Sequence, residues 1–122
     1  MENINLRNLA YLGDAIWELH IRQKTILITN NAKKLHLTTT NLVKTHTQSE
    51  LLHFLEPNLT QEEIEIIRRA RNLPIPVGRR NIQTEYRQAT AFETLIGWWH
   101  TYDKNRLEYI LNIIEPELNN YK

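Results

Sequence analysis

The sequence predicts a single-domain, all-α protein. Three observations carry that expectation. Apolar residues recur at spacings of three and four through most of the chain. Only three glycines and four prolines interrupt it. Runs of strict apolar-polar alternation, the mark of a half-buried strand, are scarce.

The elements follow in order. Leu9, Leu12, Ile16 and Leu19 share one helical stripe and predict a helix over about Asn8–Lys24. Asn30-Asn31 forms a turn, and Asn31 is suited to cap a helix opening at Ala32 and continued by Leu35, Leu42 and Val43. Leu51, Leu52 and Leu55 predict a helix over about Thr47–Glu56, stopped by Pro57. Thr60 and Glu63 make a capping box at the head of a helix through Arg71, with Ile64, Ile67 and Ala70 on its inner side. Leu73-Pro74-Ile75-Pro76-Val77-Gly78 breaks the helical pattern. A long helix over about Gln83–Tyr102 has Phe92, Leu95, Ile96 and Trp99 as its inner face. Asp103 caps a last helix, carrying Leu107, Ile110, Leu111 and Ile114, that runs to Pro116.

Composition narrows the function. The 122 residues are 41% hydrophobic and 24% charged, the balance of a globular domain with one core. The absence of cysteine excludes disulfide scaffolds, cysteine nucleophiles and thiolate zinc sites. No apolar run approaches a membrane span, and the first residues carry neither a basic nor an apolar leader segment, so a soluble protein without an export signal is expected. Net charge is +1, but it is unevenly spread. Between Arg68 and Arg87, six arginines (Arg68, Arg69, Arg71, Arg79, Arg80, Arg87) face one acid, Glu85, for +5, leaving −4 in the remainder. An arginine-rich segment on a mildly acidic body suits a polyanion, because the guanidinium fork matches phosphate oxygens. The plainer alternative is a solvated loop with scattered ion pairs, to Glu62, Glu65 or Glu85.

Two carboxylates stand in unusual places. Asp14 has Ala10, Trp17 and Ile21 at helical spacing, on a first helix that is apolar nearly all round, and such a helix is usually buried on more than one side. Glu93 has Ala89, Thr90, Ile96 and Gly97 around it. A glycine accompanies each acid, Gly13 beside Asp14 and Gly97 one turn beyond Glu93, and small residues permit two helices to cross closely. If the acids meet there, two like charges share a partly dry site and require a raised pKa or a cation. Mg²⁺ suits such oxygen donors, because it retains several waters. A structural reading stays open beside this one: a buried Asp satisfied by a backbone amide or an arginine. His20, His36, His46, His53 and His100 lack an H-x-x-x-H pair and read as surface or core-edge residues.

The run Leu9-Ala10-Tyr11-Leu12-Gly13-Asp14-Ala15-Ile16-Trp17-Glu18 resembles the signature helix of the ribonuclease III family. Thr90-Ala91-Phe92-Glu93-Thr94-Leu95-Ile96-Gly97 resembles that family's second acidic motif. With the Arg69–Asn72 stretch between them, the likeness covers residues 1–122 as one catalytic domain and is greatest to the Mini-III subgroup, which lacks the appended double-stranded-RNA-binding domain. The resemblance implies an all-α, homodimeric endoribonuclease that cuts double-stranded RNA with Mg²⁺. It also implies maturation of the ends of large-subunit ribosomal RNA precursor at a paired stem, with a large-subunit ribosomal protein as a further partner. Asp14 and Glu93 match the metal-binding catalytic acids, and 5′-phosphate and 3′-hydroxyl ends are the implied products. Two positions depart from the broader family. Ala10 stands where a glutamate is usual and Thr90 where a second acid is common, as in the Mini-III subgroup, which leaves two protein carboxylates per site.

Trp17, Trp98, Trp99, Tyr11 and Phe92 crowd the two motif helices, a surplus that would suit a dimer. Two rival functions use the same residues. A ribosome-associated RNA-binding relative with a decayed site is consistent with Ala10 and Thr90. A helical protein-interaction adaptor would leave the arginine segment without a role. The implied compartment is the bacterial cytoplasm or the plastid stroma.

Overall fold

The computed structural model describes residues 4–75, 78 and 83–122. Its helices are α1 (Leu6–Thr25), α2 (Ala32–Val43), α3 (Thr45–Leu55), α4 (Gln61–Arg71), α5 (Gln83–Tyr102) and α6 (Lys104–Ile114), and no strand occurs among the described residues. The caps are those the sequence encodes. Asn31 accepts from the Lys34 N–H, Thr60 and Glu63 form a complete capping box, and Asp103 accepts from the Arg106 N–H. Pro57 and Pro116 do not end the structure at their positions. Each sits early in a short 3₁₀ turn, Glu56–Asn58 and Glu115–Asn120, where a missing N–H costs nothing. Leu73–Ile75 is non-helical as expected, Gly78 lies in a 3₁₀ turn, and Pro76 and Val77 lie outside the described residues.

α5 is the central element, packed by α1 on one flank and by α3 and α4 on others. Its Phe92, Leu95, Ile96 and Trp99 are fully buried, as the spacing predicts. They meet Trp17 and Ile21 of α1, Leu51, Leu52 and Leu55 of α3, and Ile67 and Ala70 of α4 in one core. Trp17 packs edge-on against Phe92, and its indole N–H donates to the Leu42 carbonyl at 3.1 Å.

The α1–α5 crossing depends on two glycines. A Cβ added to Gly13 would lie 1.7 Å from the Glu93 carbonyl oxygen, and one added to Gly97 would lie 2.0 Å from the Leu9 carbonyl oxygen. Each helix thus presses its backbone into the notch left by the other's glycine, which explains glycine inside two otherwise regular helices.

This crossing reverses the expected inner face of α1. Leu9, Ala10, Gly13, Trp17 and Ile21 are buried, whereas Leu12 and Leu19 are 38% and 58% exposed and Ile16 is half-buried. Close approach at Gly13 brings more of α5 against the helix than the larger leucines could. On α4, Ile64 is exposed and the buried face is Glu63, Ile66, Ile67 and Ala70. The carboxylate of Glu63 takes an apolar slot there because Trp99 Nε1 and Arg106 donate to it at 2.7–3.0 Å.

Candidate active site

Asp14 and Glu93 lie 79 positions apart in sequence and meet at the glycine crossing. Gly13 and Glu93 are in backbone contact, so the residue after Gly13 is carried to the edge of the same seam. Glu93 is half-buried, but Asp14 is exposed, contrary to the expectation of a helix buried on both sides. In a single chain only the Gly13 face of α1 is covered, and Asp14 occupies its margin. Burial pushes the Glu93 carboxyl up to about 8, helped by a hydrogen bond to Asp14 and by its charge, against a smaller opposing effect from Gln48. The two carboxyls are therefore close enough to act on each other's charge.

Among the described residues neither acid forms an ion pair with a protein cation. The donor set is all oxygen, and a divalent ion would take the place of the proton that the raised Glu93 carboxyl retains beside Asp14, which fits a hard cation. No cluster of three or more His, Asp or Glu suited to a metal occurs among the described residues, so water and phosphate would complete a shell begun by Asp14 and Glu93. Ala10 is buried under α5 and Thr90 is half-buried, so neither supplies a charge.

The spacing argument overlooked Gln48. It is 3% exposed on α3, and its Nε2 lies 3.5 Å from Glu93 Oε2. The signal that picks out Asp14 and Glu93 is present here too, since Gln48 continues the apolar face of Leu51, Leu52 and Leu55.

The arginine segment divides. Arg71 is half-buried and bonds Gln88 at 2.8 Å and Glu56 at 3.3 Å. Arg87 donates to the carbonyls of Arg71 and Leu73, closing the C-terminal end of α4. These two pin the connection between α4 and α5. Arg68 and Arg69 are exposed, with Arg68 hydrogen-bonded to Glu65 as foreseen. Arg79 and Arg80 lie outside the described residues. Glu85 pairs with His46 at 2.5 Å, and with no arginine among the described residues. His20 is the core-edge histidine: half-buried against Trp17, its Nε2 without a partner among the described residues, its pKa lowered chiefly by burial.

The comparisons place this helical bundle in a known class of nucleases. Residues 7–104 match the family model described as the ribonuclease III domain, and the chain belongs to that family. Within it, the chain is similar to Mini-ribonuclease 3 of Gloeobacter violaceus, with 41% identity over 94% of this chain and 85% of the relative. It is 43% identical to Mini-ribonuclease 3 of a Synechococcus species, over 84% of this chain and 75% of the relative. An X-ray structure of a Fusobacterium nucleatum protein superposes with a TM-score of 0.82 at 32% identity, covering 93% of this chain and 94% of that one. The fold is that of these proteins, and the chain is an endoribonuclease of the ribonuclease III type.

Proposed function

We propose that the protein is a homodimeric, Mg²⁺-dependent endoribonuclease in which Asp14 and Glu93 hold the metal, and that its substrate is the double-stranded stem formed by the ends of large-subunit ribosomal RNA precursor. The observation that carries the site is the convergence of two carboxyls at a half-buried seam without a protein countercharge among the described residues. The substrate rests on the likeness to the Mini-ribonuclease 3 proteins.

The chain's own residues set up the chemistry. Glu93 is held inside the seam by α5, while Asp14 on the rim remains open to solvent and to an RNA backbone. Together they create a local negative charge that a divalent ion neutralises. When bound, Mg²⁺ would lower the pKa of a coordinated water and stabilise charge on the scissile phosphate. Cleavage would leave 5′-phosphate and 3′-hydroxyl ends, with no side chain acting as nucleophile.

Duplex RNA is recognised by shape, 2′-hydroxyls and phosphates. Arg68 and Arg69 are exposed for that role, and we extend it to Arg79 and Arg80 on charge alone. Arg71 and Arg87 would act indirectly, by fixing the segment between α4 and α5. On the same likeness we extend the proposed partners to a large-subunit ribosomal protein. A ribosomal precursor as substrate places the enzyme where ribosomes assemble, in a bacterial cytoplasm or plastid stroma. No helix among the described residues is long and apolar enough to cross a membrane.

The dimer has a different basis from the aromatic surplus. Trp17, Trp99 and Phe92 are consumed by the core, and Trp98 packs half-buried against it. What remains is an outer stripe on α1, where Tyr11 is 83%, Leu12 38% and Leu19 58% exposed, with exposed Ala15 between them. A second copy of this helix would cover that stripe.

The test is incubation of a paired precursor-end transcript with Mg²⁺. The wild type should cut it, while Asp14→Asn and Glu93→Gln should bind but not cut. Cleavage by both variants at the wild-type rate would refute the assignment. Tyr11→Asp should give a monomer in sedimentation, and an unchanged dimer would remove α1 from the interface.

A further inference from the structure

We infer that Gln48 is a positioning residue for the nuclease site: its buried side-chain amide holds one oxygen of Glu93 in place while leaving the charge of the Asp14–Glu93 pair intact. The inference rests on the reading of that pair as the metal site.

Gln48 is 3% exposed and stands on the face of α3 that otherwise carries Leu51, Leu52 and Leu55. A primary amide in such a place is unfavourable unless its donors and acceptor are engaged. The hydrogen bond that its side chain makes among the described residues is from Nε2 to Glu93 Oε2, at 3.5 Å. That length marks a weak bond in the metal-free protein. A leucine or methionine would pack against the core equally well, so packing alone does not account for the amide.

The chemical choice at position 48 is informative. An arginine or lysine there would also hold Glu93, but it would neutralise the charge that attracts a divalent ion. The same chain shows that alternative elsewhere, since Glu63 is held by Arg106 at 2.9 Å in an ion pair. An amide orients without neutralising. It also comes from α3, so a third helix besides α1 and α5 contributes to the site. Carboxylates that bind metals are commonly held in this way, and loss of the supporting bond costs roughly 10–100-fold in metal affinity or activity.

The test uses Gln48→Met, which keeps volume and helix propensity but removes the donor, beside Gln48→Asn, which withdraws the donor by one methylene. Mn²⁺ affinity is measured by calorimetry on RNA-free protein, and the Mg²⁺ concentration for half-maximal cleavage is measured on duplex RNA. Gln48→Met should weaken Mn²⁺ binding and raise the Mg²⁺ midpoint by about 10-fold, with saturating Mg²⁺ restoring most of the rate. If Gln48→Met does not fold by near-ultraviolet circular dichroism, Gln48→Asn decides by the same two readings. An unchanged affinity and midpoint in a folded Gln48 variant overturns the proposal. Glu93→Gln is the control for the underlying reading. If it retains Mn²⁺ binding and cleavage, the metal site itself is wrong. If it loses both while Gln48→Met matches the wild type, only the role of Gln48 fails.

Discussion

Glu63 on α4 and Glu93 on α5 are each the acid on a largely apolar, core-facing side of a helix, Glu63 in the first turn and Glu93 midway along. Their surroundings are opposite. Arg106 and Trp99 donate to the Glu63 carboxylate, which also caps the Thr60 N–H at 2.9 Å. Burial pushes Glu63 up, but these hydrogen bonds and the Arg106 charge outweigh it and hold the carboxyl below its ordinary value. Glu93 faces another acid, its one donor among the described residues is a neutral amide, and burial and Asp14 push it up to about 8. A structural acid carries its countercharge within the chain. An acid kept without one has its countercharge supplied from outside, and this separates the two glutamates more cleanly than burial does.

Neutralising substitutions should therefore have opposite signs in the two regions. Arg106→Met leaves Glu63 buried and unpaired, and should destabilise the fold by about 3–5 kcal/mol, the usual result of breaking a buried pair. Glu93→Gln removes the like-charge contact and should leave metal-free stability unchanged or raised while abolishing cleavage. Chemical denaturation of both variants without metal checks this, and a large destabilisation by Glu93→Gln would break the comparison.

Next in size is the glycine crossing. With a Cβ 1.7 Å from a backbone oxygen, Gly13→Ala must push α1 away from α5. The expected loss is about 3 kcal/mol, the upper part of the usual overpacking range, together with cleavage. A Gly13→Ala protein that melts and cuts like the wild type would show that the crossing is looser than described.

The pH dependence has a definite sign. Glu93 has a folded pKa of about 8 against an ordinary 4.5, so it favours the native state fully below pH 4.5 and loses that contribution as pH rises to about 8. Glu63 acts in reverse: its contribution is present above 4.5 and is lost as pH falls through its lowered value. The metal-free melting temperature should fall from about pH 5 to pH 8, with the slope reduced in Glu93→Gln and by added Mg²⁺. Equal slopes in the wild type and Glu93→Gln would contradict the coupling.

The smallest contrast lies among the arginines. Arg69→Ala should weaken duplex binding modestly and flatten its salt dependence, because phosphate contacts release counterions. Arg71→Ala and Arg87→Ala should act mainly on stability, since both are tied into the protein. Equal melting temperatures for all three variants would return Arg71 and Arg87 to the RNA surface.

Much of this was legible in the sequence where the signal is local. The caps at Asn31, Thr60 and Asp103 and the bounds of α5 follow from side-chain chemistry and periodicity. The Asp14–Glu93 meeting was legible because acids on apolar helices and their glycines give a rare pattern. The orientation of α1 was not. Leu12 and Leu19 outweigh Gly13 in any hydrophobic periodicity, yet a glycine seam buries backbone, which periodicity does not score. Glu63 shows the same difficulty, since the capping box was visible but its pairing with Arg106, 43 residues on, was not. The roles of Arg71 and Arg87 were hidden because a charge count does not distinguish a solvated guanidinium from one bonded to backbone carbonyls.

The central claim is that Asp14 and Glu93 share one divalent ion, and anomalous diffraction from a crystal soaked in Mn²⁺ tests it most directly. The account predicts a peak bound by both carboxylates or bridged to one of them through a single water, absent in Glu93→Gln. A strong peak elsewhere on the protein, with the two side chains left bonded only to each other, would contradict it.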